Sequence, residues 1–219
     1  MERQHFEEEL RDTRACIARM GALVCGRLET CLRALSGHDR DAARFVLDHD
    51  EEINALQIEV DERALRLLAL QQPAARDLRF ITAAVKANAD LERIGDQAVN
   101  VAGTALELIG RPDLAHGPMV IEMGRNALAM VRDALASFLD RNAGLARSVL
   151  ERDDEIDAAK RHVLRELIAL MTRDPGTIER AVSLIFISRS FERVADHATN
   201  MAEDAIFLVE AKDVRHHHP

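Results

Sequence analysis

Glu92, Asp96 and Asn100 stand four residues apart, and so do Glu192, Asp196 and Asn200. On a helix, steps of four fall on one face, so each set aligns two carboxylates and an amide. Two shorter pairs, Asp50/Asn54 and Asp153/Asp157, have the same spacing. Each brackets an apolar residue, Ile53 or Ile156, at the border of a buried stripe. Oxygen ligands without cysteine suit hard cations such as magnesium, manganese, calcium or iron, and carboxylates also hold zinc. Carboxylates pointing inward from neighbouring helices are how di-iron bundles hold their metal. The opposing reading is structural. Crowded carboxylates repel one another, and Arg93 and Arg193, adjacent to Glu92 and Glu192, are placed to pair with them. A solvated acidic face is a third reading, and spacing alone does not choose among the three.

The elements that must position these residues read as long helices. Ala, Leu, Arg and Glu dominate the composition, and aromatic residues make up 3%, which favours helix. Breakers at Ser36-Gly37-His38-Asp39, Gln71-Gln72-Pro73, Gly110-Arg111-Pro112, His116-Gly117-Pro118 and Asp174-Pro175-Gly176 divide the chain. The spacing predicts six helices, over residues 8–35, 39–70, 74–109, 119–139, 143–171 and 177–211. The second half repeats the first. Met20-Gly21 returns as Met123-Gly124, and the run from Val46 to Asn54 returns as Val149 to Asp157, both 103 positions later. The run from Leu91 to Asn100 returns as Phe191 to Asn200, offset by 100, so the second copy has lost three residues in its hairpin turn. A repeat of this size predicts an all-α fold of two tandem three-helix bundles, residues 1–110 and 118–219, joined by a linker over 111–117.

Folding each hairpin brings the carboxylates level. Asp50 lies as far before Pro73 as Asp96 lies after it, and Asn54 and Glu92 are likewise equidistant from it. In the second copy Asp153/Asp196 and Asp157/Glu192 are both centred between Asp174 and Pro175. Each group should therefore sit roughly 30 Å from its turn at 1.5 Å per residue. The change of offset preserves this registry. Gly95, Ala195, Ala98 and Ala198 keep the same face small.

Other classes are disfavoured. The formal net charge is −9 and no basic run is visible, so nucleic acid is not an expected partner. No apolar run reaches the ~18 residues of a membrane span. Cys16, Cys25 and Cys31 show no CxxC spacing and read as core thiols of a reducing compartment. The Met residues at 20, 123, 130 and 171 read as core, His197 as a surface residue, and His216-His217-His218 as an adventitious metal binder. A di-iron oxidase would need Glu-x-x-His on core helices, and that spacing occurs only at Glu2/His5. No phosphate-binding Gly loop or nucleophile elbow is present.

Gln71-Gln72-Pro73-Ala74-Ala75-Arg76-Asp77-Leu78-Arg79, followed by Asp90-Leu91-Glu92-Arg93-Ile94-Gly95-Asp96, resembles the first repeat of the PhoU family. Phe191 to Glu203 resembles the second repeat, and Asp213-Val214-Arg215-His216 the family's ending. The resemblance implies tandem three-helix bundles in a homodimeric cytoplasmic regulator, not an enzyme. Its implied partners are the ATPase subunit of a phosphate ABC transporter and a phosphate-sensing histidine kinase, with the membrane reached only through partners. Its implied role is to hold uptake and the phosphate-starvation response in check. The family's (Glu/Asp)-x-x-x-Asp motif, associated with iron or zinc, maps onto Glu92/Asp96, Asp153/Asp157 and Glu192/Asp196. Asp50/Asn54 departs from it, which implies a weaker or empty first cluster. The rival readings are a carboxylate-bridged di-metal enzyme and a metal-free scaffold for another transporter or a stress response.

Overall fold

The computed structural model describes residues 2–71 and 73–214, so Gln72 and the terminal histidines lie outside the described residues, as does the side chain of Glu2. The helices are α1 (Glu2–Gly37), α2 (Arg40–Asp48), α3 (Glu51–Gln71), α4 (Ala75–Leu108), α5 (Gly117–Leu139), α6 (Ala143–Glu151), α7 (Asp153–Arg173) and α8 (Ile178–Glu210), with a 3-10 turn at Pro175–Thr177. Six long rods form, as the spacing predicts. The middle rod of each repeat is broken once, into α2/α3 and α6/α7.

Side-chain caps start the second rod of each repeat. Asp39 accepts from the Ala42 amide at 2.9 Å, and Asn142 accepts from the Leu145 amide at 3.0 Å. Asp174 caps the turn before α8 in the same way, accepting from Gly176 at 3.0 Å. The internal breaks lie at His49-Asp50 and at Arg152. Both are followed by acids in the first turn of the next helix, Glu51 and Glu52 in α3 and Asp153, Asp154 and Glu155 in α7. Negative charge there interacts favourably with the helix dipole. These acid runs are helix-start signals, which is why a continuous rod does not form.

The third helices of the two repeats, α4 and α8, run antiparallel through the middle of the molecule. Lys86 reaches Asp204 at 2.9 Å, Asp90 reaches His197 at 2.9 Å, and Ser183 reaches Glu107 at 3.5 Å. Ile94 and Val194, equivalent positions in the duplication, are both fully buried. The first helices, α1 and α5, also cross with the symmetry of the repeat. Gly21 of α1 faces Leu135 of α5, and Gly124 of α5 faces Leu32 of α1. Leu32 and Leu135 are themselves 103 positions apart. The Met-Gly repeat is thus a pair of notches, each receiving a leucine from the other half. One hydrophobic core runs continuously through both repeats. Fully burying such Leu, Ile and Phe side chains contributes roughly 1.5–3 kcal/mol each. No helix among the described residues is long and apolar enough to cross a membrane.

Candidate functional site

The hairpin registry expected from sequence is present. Asn88 of α4 donates to the Gln57 carbonyl at 3.0 Å and to Asp61 at 2.9 Å, and the Gly95 backbone packs on Ile53. Only a small residue fits at Gly95, because a Cβ there would lie 3.1 Å from the Ile53 Cδ1.

In the first group, Asp50 precedes α3 and accepts from the Asn54 side-chain amide at 3.2 Å. Glu92 and Asp96 face it from α4. Partial burial, then the charges of Asp96 and Asp50, push the Glu92 carboxyl above its usual range, with Arg93 opposing. Partial burial and Asp50 push Asp96 up in the same way, again opposed by Arg93. Asp50, Glu92 and Asp96 are therefore within electrostatic reach of one another. Asn100 is exposed, one turn beyond Asp96.

The second group is more crowded. Asp196 is pushed up to about 6, first by desolvation and then by Glu192, Asp153 and Asp157, with His197 opposing. Asp196 is thus within electrostatic reach of the other three predicted carboxylates. Their neutralising cations differ from the expected pair of arginines. Lys160 of α7 lies 2.6 Å from Glu192, and Arg161 lies 3.3 Å from Asp157. The counterpart of Lys160 in the first repeat is Gln57. Lys160 sits one turn past Ile156 on the face turned toward α8, a position that the spacing shows but residue type alone does not flag.

Two residues play parts that sequence reading did not assign. His197 is not a surface residue. Its side chain is 16% exposed and its Nδ1 lies 2.9 Å from Asp90 of α4. Asn200 also turns to Asp90, donating at 3.2 Å. Both tie α8 to α4. Asp90 opens the Asp-Leu-Glu-Arg motif and was the available signal. The cysteines are core thiols as expected. Burial pushes all three up in pKa, Cys31 to about 12, and the Cys31 thiol donates to the Ala98 carbonyl at 3.1 Å.

Each break that positions a carboxylate is pinned by an arginine. In the first, buried Arg27 of α1 donates to the His49 carbonyl at 3.2 Å and to Glu52 at 2.6 Å, and lies 4.6 Å over the Phe45 ring. In the second, Arg152 at the break itself donates to Asp133 of α5 at 2.6 Å and to the Asn126 carbonyl at 3.4 Å.

The donor set fits a hard cation in chemistry and in charge. The side chains do not converge on one point: among the described residues, no three His, Cys, Asp or Glu side chains are grouped closely enough to hold a metal ion. A cation at the second group would have to displace the Lys160 ammonium from Glu192. A cavity of about 530 Å³ lies elsewhere, between the α1–α2 turn, the end of α4 and the 109–118 linker. None of the carboxylate-group residues lines it.

Comparison with known proteins follows the duplication. The PhoU domain model matches residues 17–105 and again residues 120–205. The phosphate-specific transport system accessory protein PhoU homolog of Pseudomonas putida is 41% identical over 214 residues, covering 97% of this chain and 84% of the relative. Its Aquifex aeolicus namesake is 37% identical over 96% of both chains. The crystal structure of PhoU from Pseudomonas aeruginosa superposes with a TM-score of 0.92 at 38% identity, over 94% of this chain and 100% of that one. The phosphate transport system regulatory protein PhoU from Streptococcus pneumoniae superposes with a TM-score of 0.89 at 29% identity, over 95% and 99%. The chain belongs to the PhoU family.

Proposed function

We propose that this protein is a cytoplasmic negative regulator of phosphate uptake and of the phosphate-starvation response. It acts by binding rather than by catalysis, on the ATPase subunit of a phosphate ABC transporter and on a phosphate-sensing histidine kinase. The observation that carries the reading is similarity over nearly the whole chain to accessory proteins of phosphate transport, with both repeats matched. The outer faces of the middle rods supply docking surface. Ile58, Leu65 and Leu68 on α3 and Leu164 and Ile168 on α7 are large apolar side chains left exposed, and Leu65 and Ile168 are equivalent in the duplication. Such apolar surface suits partner contact, including the homodimer that the family resemblance implies.

The carboxylate groups serve in this reading as cation sites that tie the hairpins together. Asp153, Asp157, Glu192 and Asp196 would hold an iron, zinc, manganese or magnesium ion at the second group, and Asp50, Glu92 and Asp96, with Asn54, at the first. The Asp196 carboxyl, pushed up first by desolvation and then by the charges of Glu192, Asp153 and Asp157, supports a cation there through the second of these causes. The regulatory role is tested by alkaline phosphatase expression in phosphate-rich medium with and without the gene. High expression in the deletion strain, restored by the gene, is the expected result. Expression unchanged by deletion, together with no recovery of the transporter ATPase or the kinase in a pull-down, would reject it.

A further inference from the structure

Away from the acidic groups, four arginines come together near the start of α4. Arg76 and Arg79 lie in the first turns of α4, Arg14 on α1, and Arg141 in the turn between α5 and α6. Aromatic packing joins these segments. The Arg14 guanidinium lies 5.2 Å over the Phe80 ring, Phe80 packs 6.2 Å from Phe138, and Arg141 follows Phe138 by less than one turn. The chain holds Arg141 in the left-handed region, at φ 54°, which is unusual for a residue with a side chain. Its counterpart in the first repeat, His38, has the same conformation at φ 51° but lies 3.1 Å from Asp113.

The arginines have no such partner. Among the described residues, the Nε groups of Arg14, Arg79 and Arg141 are buried without a hydrogen-bond acceptor, and none of the four arginines enters an ion pair. By contrast, Arg27, Arg63, Arg147 and Arg152 each pair with a carboxylate. Burial, then the charges of Arg14 and Arg76, push the Arg141 pKa down, and Asp77 is the acid that opposes them. Buried N–H groups left without acceptors are costly, and converging guanidiniums repel. Both penalties disappear when an anion occupies the space between them.

We propose that Arg14, Arg76, Arg79 and Arg141 form a binding site for a phosphoryl oxyanion. Guanidinium forks match the oxygens of a phosphate group in pairs. Four of them supply more positive charge than a single carboxylate neutralises, which selects a multiply charged anion. The N-terminus of α4 adds to the site. Ala74 provides no side-chain cap, so first-turn amides and the helix dipole are available to an anion. The acidic groups do not interfere, because Glu92 is roughly 24 Å further along the same helix at 1.5 Å per residue. Free phosphate and a phosphoryl group within a longer ester or anhydride share this chemistry.

Isothermal titration calorimetry of the full chain with inorganic phosphate and with pyrophosphate, at constant ionic strength, tests the site. Saturable binding is expected, weakened roughly ten-fold by Arg141→Gln or Arg14→Gln and unchanged by Arg147→Gln, whose partner is Glu210. Arg76→Gln, at an exposed position, is the variant to use where the half-buried ones fail to fold. Tighter binding of phosphate assigns the free anion, and tighter binding of pyrophosphate a chain or ester phosphate. The proposal is overturned if neither anion binds saturably, or if binding is the same in Arg76→Gln and wild type. This measurement is independent of the deletion phenotype, so failure of the anion site and failure of the regulatory reading give different results.

Discussion

The two carboxylate groups occupy equivalent places in the duplication but balance their charges differently. The first has three acids, Asp50, Glu92 and Asp96, and no lysine. The second has four, Asp153, Asp157, Glu192 and Asp196, and Lys160 against one of them. Asn54 stands for Asp157 and Gln57 for Lys160. Before flanking arginines are counted, four carboxylates less one ammonium leave the same charge as three carboxylates. The loss of one carboxylate in the first copy, which reads from sequence as a weakness, is offset by the loss of the ammonium that faces the second. The two breaks beside these groups differ in the same spirit: an arginine from the neighbouring helix pins the first, and an arginine at the break itself pins the second.

The largest effect should come from crossing those two pins. Met130 is the second repeat's counterpart of Arg27, so Arg27→Met writes the second repeat's core into the first without its pin. Arg27 has a side chain only 7% exposed, and losing its charged hydrogen bonds should cost about 2–3 kcal/mol in urea unfolding. Arg152→Met removes a partly exposed pair and should cost about 1 kcal/mol or less. Equal losses would mean that the breaks are not held by these arginines. Adding His49→Arg and Thr30→Asp to Arg27→Met transplants the second pin, and should recover part of the loss.

The notches of α1 and α5 give a smaller contrast. A Cβ on Gly124 would lie 2.6 Å from the Phe191 Cζ and 2.7 Å from the Leu32 Cδ2, whereas on Gly21 the nearest atoms would all belong to the flexible Leu135 side chain, its two terminal methyls first. Phe191 is fully buried and has nowhere to move. Overpacking of this kind typically costs about 1–3 kcal/mol, against about 1 kcal/mol gained by replacing glycine in a helix. Gly124→Ala should therefore destabilise, and Gly21→Ala should be close to neutral, by thermal unfolding. A stabilised Gly124→Ala variant would show that the helices can part there at no cost.

Lys160 permits a direct test of charge balance. Lys160→Gln should strengthen manganese binding at the second group about ten-fold, equivalent to about 1.4 kcal/mol. Gln57→Lys should weaken binding at the first by a similar factor. Calorimetric titration with manganese, in protein lacking residues 216–218, reads both. If neither variant changes affinity, the carboxylate groups are not the manganese sites.

The duplication, the six rods and the level registry were legible because they follow from period and symmetry, which a sequence displays directly. The breaks were hidden because acids after His49 and Arg152 carry two signals at once, ligand spacing and helix start, and the spacing was the more conspicuous. The cationic partners were hidden for a different reason. Arg93 is adjacent to Glu92 in sequence, but the closest cation to Glu192 comes from across the hairpin, where only the folded registry identifies Lys160. The inter-repeat tie from Asp90 to His197 and the arginine concentration near Phe80 need the packing of α4 on α8 and of α1 on α5. No local pattern encodes that packing. Arg76-Asp77-Leu78-Arg79 was conspicuous as a motif, but its partners Arg14 and Arg141 are distant in the chain.

The smallest expected effect concerns pH. In the folded protein Asp196 titrates at about 6, against about 3.9 for an unperturbed aspartate. Between these values the folded state holds a proton that the unfolded chain has released, so stability falls as pH rises from about 4 to 6 and then levels off. Asp196 is exposed at the surface, so solvent screening keeps the change modest. Asp196→Asn should flatten this slope in urea unfolding across that window. Asp96→Asn should flatten it less, because Asp96 has two carboxylate neighbours, Asp50 and Glu92, whereas Asp196 has three, Glu192, Asp153 and Asp157. Both repeats share one core, so a difference between these two variants isolates local charge from global packing. If Asp196→Asn keeps the full slope, the four carboxylates are not close enough to repel. The electrostatic argument for a cation between them would then fail as well.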